Sequence, residues 1–478
     1  MSFARLILLM LLWVPLAVAQ SPPNHEYLLG RKAESAGNIA AATGNYQAIV
    51  SRNSVLREYA LWRLARIARS TGDLVLERER LKQLIASAPN SLLFETAALR
   101  VSGSFFESGD FEQAATSAKL VTQSKNAAIA REGATLLGLA YVRAGKLTEA
   151  RDVFTKLVMQ MPDASRPDDF ALTAVRQLDA LDNPATANLS EAEHLLRASV
   201  YQFNRDFAGA RAHYQTLIDR YPQSGTLPNA IVQLGRGYYL EYKYDDAIKH
   251  FQKVFATYPQ TTAAREAVGW LASSYLRTKR TDDAVAAYKL LIDRFPDNPN
   301  PERAYLNIID ALHEAGRHAE ALNWVQQTRA RFNNDLGSAL ALFAQLRIHL
   351  AQASWAAAVR DADELAKLSD LGGTRVPGGT TPNEVSFLRA FALEQMGRTE
   401  EAVAAYLTIP DGRNEYYGAR ATQRLLALAA GEKSRTLVQN RLNALANEAK
   451  VASAAGQWDQ ARIAAQSALR LTGEPQKR

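Results

Sequence analysis

The chain has 478 residues, 47% hydrophobic and 22% charged, a balance that excludes a disordered chain. Its net charge of +7 comes from 56 basic and 49 acidic residues interspersed in sign, so nucleic acid is not an expected partner. There is no cysteine, which excludes disulfides, thiolate zinc sites, thiol catalysis and a lipidated cysteine.

Residues 1–19 carry Arg5, the apolar run Leu6–Val14 and Ala17-Val18-Ala19. A basic start, a short apolar stretch and an A-x-A site predict a cleaved secretory signal. Pro15 and Gln20 interrupt the run before it reaches the roughly 20 apolar residues that a membrane span needs. The expectation is an exported, periplasmic chain with no membrane span after cleavage.

Residues 20–183 read as an N-terminal set of helical repeats, with second helices of helix pairs starting near Ile39, Leu74, Phe111 and Leu147. An extra helix is expected around Asp168–Leu181. Residues 184–370 read as a central array in which three near copies follow one another: "FAGARAHYQTLIDRYP", "YDDAIKHFQKVFATYP" and "TDDAVAAYKLLIDRFP". They start at 207, 244 and 281, so each step is 37 residues. In the middle copy, Tyr244, Ala247, Phe251 and Val254 form the apolar stripe of a second helix. Leu234, Gly235 and Tyr238 mark one face of the first. Gly235 and Ala247 are small where the two helices must approach, and Phe251 is large where a gap must be filled. Asp245-Asp246 open the second helix, where the macrodipole favours negative charge, and Pro259 follows its end. Further second helices are expected at His318 and Trp355. Leu371–Asn383, "LGGTRVPGGTTPN", reads as a flexible Gly/Pro insertion. Residues 384–478 read as C-terminal repeats, with second helices at Thr399 and Trp458 and an added helical segment after "PDGRNEYYG".

Leu137, Gly138, Tyr141, Gly145, Ala150, Phe154, Leu157 and Pro162 repeat the middle copy's pattern, as do Leu271, Ala272, Tyr275, Ala284, Tyr288, Leu291 and Pro296. The pattern resembles the tetratricopeptide repeat, in the longer form common in exported bacterial proteins. The resemblance implies an all-α, right-handed superhelical solenoid of antiparallel helix pairs with a period of about 37. First helices would line its concave wall, and protein partners or peptidoglycan would bind there.

Candidate chemistry is sparse. "HEAGRH" at His313–His318 misses the zinc motif H-E-x-x-H because its histidines are five apart, not four. The acid pairs Asp245-Asp246, Asp282-Asp283 and Glu400-Glu401 each open a second helix and read as capping and dipole residues. "NLS" at Asn188–Ser190 reads as a helix cap. The remaining histidines look scattered, and no catalytic constellation or cofactor motif is present. Arg63, Arg66 and Arg69, with Arg329 and Arg331, read as solvated helix faces. Tyr238, Tyr239, Tyr242 and Tyr244 cluster at one interhelical turn. Tyr238 and Tyr244 match repeat core positions, leaving Tyr239 and Tyr242 as the candidate exposed pair for partner contact, with surface or inter-repeat packing as the stronger alternative.

At Arg413–Leu425 the chain reads "RNEYYGARATQRL". Arg413, Tyr416, Tyr417, Gly418, Ala421, Arg424 and Leu425 resemble a segment near the end of the superhelical region of soluble lytic murein transglycosylases. That resemblance adds Arg413, Tyr416 and Tyr417 as contact residues and implies work on peptidoglycan. The family's catalytic module is absent from this chain: the only Glu-Ser pairs are Glu34-Ser35 and Glu107-Ser108, and no G-L-M-Q segment occurs. The expectation is an exported scaffold without its own catalytic site. The alternatives are the superhelical part of such a transglycosylase, or an outer-membrane assembly or secretion adaptor.

Overall fold

The computed structural model describes residues 23–472, apart from 162, 164, 165, 183–187, 334 and 413. The expected signal segment, Pro162 and Arg413 therefore lie outside the described residues. Among those described there are twenty-four α-helices and no strand, only an isolated bridge between Gly372 and Thr380. The all-α expectation is borne out. Eleven second helices begin at Ile39, Leu74, Phe111, Leu147, Phe207, Tyr244, Thr281, His318, Trp355, Thr399 and Trp458, as the spacing predicts. Two helices stand outside the pairs, Asp169–Asp182 and Tyr416–Ala430, at the two places where extra helix was expected.

The pairs form because each second helix starts two residues after a tight turn. Seven of those turns place glycine in the left-handed region, as at Gly316 (φ 74°). Four others force a side chain there: Arg205, Tyr242, Lys279 and Ala353, at φ 60°, 64°, 59° and 56°. The left-handed conformation costs an L-residue roughly 1–2 kcal/mol. Ala353→Gly should therefore stabilise the protein by about 0.5–1 kcal/mol, part of the gain being lost to the freer unfolded chain. A urea midpoint that does not rise would contradict this reading of the turn.

Small-to-large contacts hold each pair together. A Cβ placed on Gly235 would lie 2.6 Å from Phe251 Cε1, and one on Gly138 would lie 2.5 Å from Phe154 Cε1. Phe251 and Phe154 are fully buried, so glycine on one helix makes room for the ring on the other. Helix starts follow two schemes. Asn38, Asp73, Asp110 and Asp206 cap with their side chains. Ser190 forms a full capping box with Glu193, the role expected of "NLS". The acid pairs lie in the first turn, where the dipole favours them, but they do not cap. Lys243, Arg280 and Arg398 occupy those cap positions without a side-chain bond.

The chain divides into two compact units, Met1–Ser224 and Gly225–Arg478. The first holds five helix pairs and the extra helix Asp169–Asp182; the second holds six pairs and Tyr416–Ala430. Within the second unit the Gly/Pro insertion is not the loose loop expected. Gly373 N donates to Thr380 O, Thr380 N to Leu371 O, and Arg303 Nη1 reaches Pro377 O at 2.9 Å. These bonds satisfy the loop's own backbone and tie it to the helix Glu302–Glu314.

Candidate functional site

The turn between helices Leu227–Leu240 and Tyr244–Thr257 carries the tyrosine cluster. Tyr238 stacks almost parallel on His250, ring centroids 5.2 Å apart, and burial lowers the His250 pKa. Tyr239 is not exposed. It lies edge-on to Tyr244 at 5.3 Å and to Trp270 of the next first helix at 5.1 Å, and its hydroxyl accepts from Arg277 Nε at 3.3 Å. Tyr239 fills the joint between two repeats, the packing alternative to partner contact. Trp270 in turn stacks on Phe251, with the Arg236 guanidinium 5.1 Å from its ring. Tyr242 is 78% exposed in its left-handed turn and touches Tyr244 edge-on at 6.3 Å. The expected pair thus resolves into one packed ring and one solvent-facing ring on a supported aromatic base.

The "YYG" segment separates in the same way. Tyr416 is 66% exposed. Tyr417 packs on Phe387 at 5.7 Å, and burial with a bond to Glu384 pushes its phenol pKa up. Gly418 passes so close to the chain that a Cβ would lie 1.8 Å from Pro410 O. Ala421 and Leu425 are fully buried. Arg424 Nε donates to Glu394 Oε2 at 3.0 Å, and Tyr406 Oη donates to the same oxygen at 2.8 Å. An equivalent Glu–Tyr–Arg staple occurs at the start of the chain: Glu34 accepts from Tyr46 at 2.8 Å and from Arg63 at 3.4 Å. Packing between helices accounts for five of the seven motif residues, leaving Tyr416 as the solvent-facing one and Arg413 outside the described set.

The arginines read as solvated are mostly engaged. Arg63 belongs to the staple just described, Arg69 bridges Glu77 and Glu107, Arg329 pairs with Glu364, and Arg331 covers Phe332. Arg66 and Arg331 are the exposed two of the five. His313 and His318 do meet, Nδ1 to Nδ1 at 3.2 Å, yet among the described residues no group of three or more carboxylates and histidines could hold a metal ion.

The structure also assembles a buried network that spacing did not reveal. Asp179 accepts from Arg197 Nη1 (2.9 Å), Tyr201 Oη (2.7 Å) and His213 Nε2 (3.0 Å). Burial pushes the Asp179 pKa up, but the bonds from His213 and Tyr201 outweigh it and hold the carboxyl below its ordinary range. With its Nε2 proton given to Asp179, His213 accepts at Nδ1 from His194 Nδ1–H at 2.9 Å. His194 Nε2 is then a bare lone pair, buried with no hydrogen-bond partner. Both histidines are fully buried.

A family model for the tetratricopeptide repeat matches residues 27–91, 104–169 and 232–299, and a second model of the same repeat matches 194–224. The chain carries tetratricopeptide repeats. The Tyr242 turn lies inside a matched repeat. The pairs after residue 299 continue the architecture, with His318 and Trp355 each 37 residues after the preceding second-helix start. No curated protein matches the chain. Solved structures with related helical folds include a tetratricopeptide repeat protein from Parabacteroides merdae, at 17% identity over 70% of this chain and 98% of that one, TM-score 0.27. Apo RapI covers 71% and 97% at 10% identity, TM-score 0.39, and yeast Tom70 covers 87% and 99% at 13% identity, TM-score 0.29.

Proposed function

We propose that this chain is an exported scaffold of the cell envelope that holds a protein partner against the surface around Tyr242. The observation that carries the proposal is the exposed Tyr242 ring standing on Tyr244, Tyr239 and Trp270. A rigid aromatic anchor of this kind contributes much contact area for little lost side-chain entropy, and such residues dominate binding energy at interfaces. Export follows from the basic, apolar and A-x-A character of residues 1–19. No described helix is long and apolar enough to cross a membrane.

Tyr242→Ser should leave the fold intact, since the ring is exposed, and weaken partner binding by about tenfold or more. The check is to immobilise the chain from Gln20 onward, identify the envelope protein it retains, and compare that protein's affinity for both forms. Equal affinity would place the partner elsewhere.

A second reading, a glycan-handling scaffold in peptidoglycan turnover, is favoured by the Arg413–Leu425 segment and by the exposed Tyr416 within it. Co-sedimentation with purified sacculi supports it. Release of anhydro-muropeptides by the chain alone would assign it an activity of its own, and absence of binding would retire the cell-wall reading.

A further inference from the structure

The last helix pair, Arg435–Ala454 and Trp458–Arg470, leaves the Trp458 ring uncovered by any described residue. Val451 and Ile463 are 61% and 56% exposed, in a mixed groove that Arg441, Asn447, Glu448 and Gln460 also line. Trp458, about 140° round its helix from Ile463 and outside that groove, is 70% exposed. An indole left in water at the start of the last second helix departs from the polar outer face that normally ends a repeat stack.

The array itself shows what covers such a ring. Trp355 stands where Trp458 stands, first in a second helix and two residues past a left-handed turn. It is half-buried, because Phe391 of the following first helix, Pro382–Gln395, meets it edge-on at 6.0 Å. Leu388 of that same helix packs into the core. The covering element is thus a first helix carrying an apolar residue at the place of Leu388.

One such helix in the chain has this side open. Pro23–Ser35 aligns with Pro382–Gln395 through their common features: the turn glycines Gly37 and Gly397, and the staples Glu34–Tyr46 and Glu394–Tyr406. On that alignment Leu28 takes the place of Leu388 and Arg31 that of Phe391. Leu28 is 65% exposed and Leu29 42%. Arg31 would bring a guanidinium to the Trp458 indole, and a cation over an indole face is attractive. Asp459 on the opposite surface keeps its side chain 93% exposed beside Arg462, 3.6 Å away.

We propose that the chain self-associates head to tail, the helix Pro23–Ser35 of one copy docking on the Arg435–Ala454/Trp458–Arg470 face of a second. The contact joins two different surfaces, so every copy keeps one free end, and assembly continues with concentration or closes into a ring. This inference does not rest on the partner proposed for Tyr242.

Sedimentation velocity on the chain from Gln20 onward, across a concentration series, tests it. The wild type should grow beyond a dimer. Leu28→Asp and Trp458→Asp should each be monomeric and should keep the wild-type helical circular dichroism, since both side chains face solvent. Mixing the two variants should then restore association, but only to a one-to-one dimer, because each supplies the end the other lacks. A wild type that stays monomeric throughout would overturn the proposal. So would a mixture that stays monomeric, or variants that still assemble alone, as Leu28→Asp would through a symmetric tail-to-tail contact.

Discussion

Gly418→Ala should destabilise the C-terminal repeats by about 3 kcal/mol or more, among the largest effects of any single-methyl change in this chain. The added carbon would sit 1.8 Å from Pro410 O and 2.9 Å from Asp411 Cα, both backbone atoms that cannot swing aside. Nor is the segment free to retreat. Arg470 donates to Ile409 O at 2.8 Å, to Thr422 Oγ1 at 2.8 Å and to the carbonyls of Tyr406 and Gly418 at 3.3 and 3.4 Å. Thr422 Oγ1 also donates to Asp411 at 2.7 Å, closing the network around the turn. Moving the backbone to admit one methyl group therefore breaks several buried hydrogen bonds. The contrast is Gly269→Ala in the helix Thr262–Arg277. There a Cβ meets nothing within 4 Å, and the higher helix propensity of alanine should stabilise by up to about 1 kcal/mol. Hydrogen exchange of amides 416–430 reads the first effect locally. Unchanged protection there in Gly418→Ala would contradict the close approach.

Acid should weaken the first unit well before it titrates surface carboxylates. Burial, then the neighbours His213, Arg220 and Arg197, lower the His194 pKa from 6.5 to about 4. The folded state thus favours neutral His194. Its contribution is fully present above pH 6.5 and drains away as the pH falls from 6.5 towards 4. The loss is on the order of 2 kcal/mol, since protonation puts a cation on a buried nitrogen that has no acceptor. Below about pH 4 a second loss begins, because Asp179 is held below its ordinary range and its stabilisation goes as it protonates. Urea unfolding of the first unit at pH 7.5 and 4.5 should show the difference, and His194→Phe should remove the part between pH 6.5 and 4. A His194 ring that titrates by NMR near 6.5 would contradict the buried-network account.

Much of the fold is legible in the sequence because the repeat is encoded locally. Gly316 and Gly397 announce the left-handed turn, and the stripe beginning two residues later fixes the start of each second helix. Gly235 opposite Phe251 is legible for the same reason: a small residue and a large one at fixed offsets imply a close helix crossing. What a single repeat could not disclose depends on its neighbours. Tyr239 stays open between partner contact and packing until Trp270, from the next first helix, closes over it. Asp179, His194 and His213 lie on three different helices, 34 residues apart end to end, so no ligand-style spacing links them. The "YYG" residues carry a resemblance to cell-wall enzymes, yet Gly418 and Arg424 are fixed by Pro410 and Glu394, partners from other elements of the stack. Burial of that kind is set by three-dimensional register, which a linear pattern does not contain.

The most direct test of the proposed scaffold role is photo-crosslinking in cells from a benzophenone amino acid placed at position 242, with the exposed Lys249 position as control. A discrete protein adduct from 242 and none from 249 is the predicted result. No adduct at 242, or the same adducts from both positions, would contradict a partner surface centred on Tyr242.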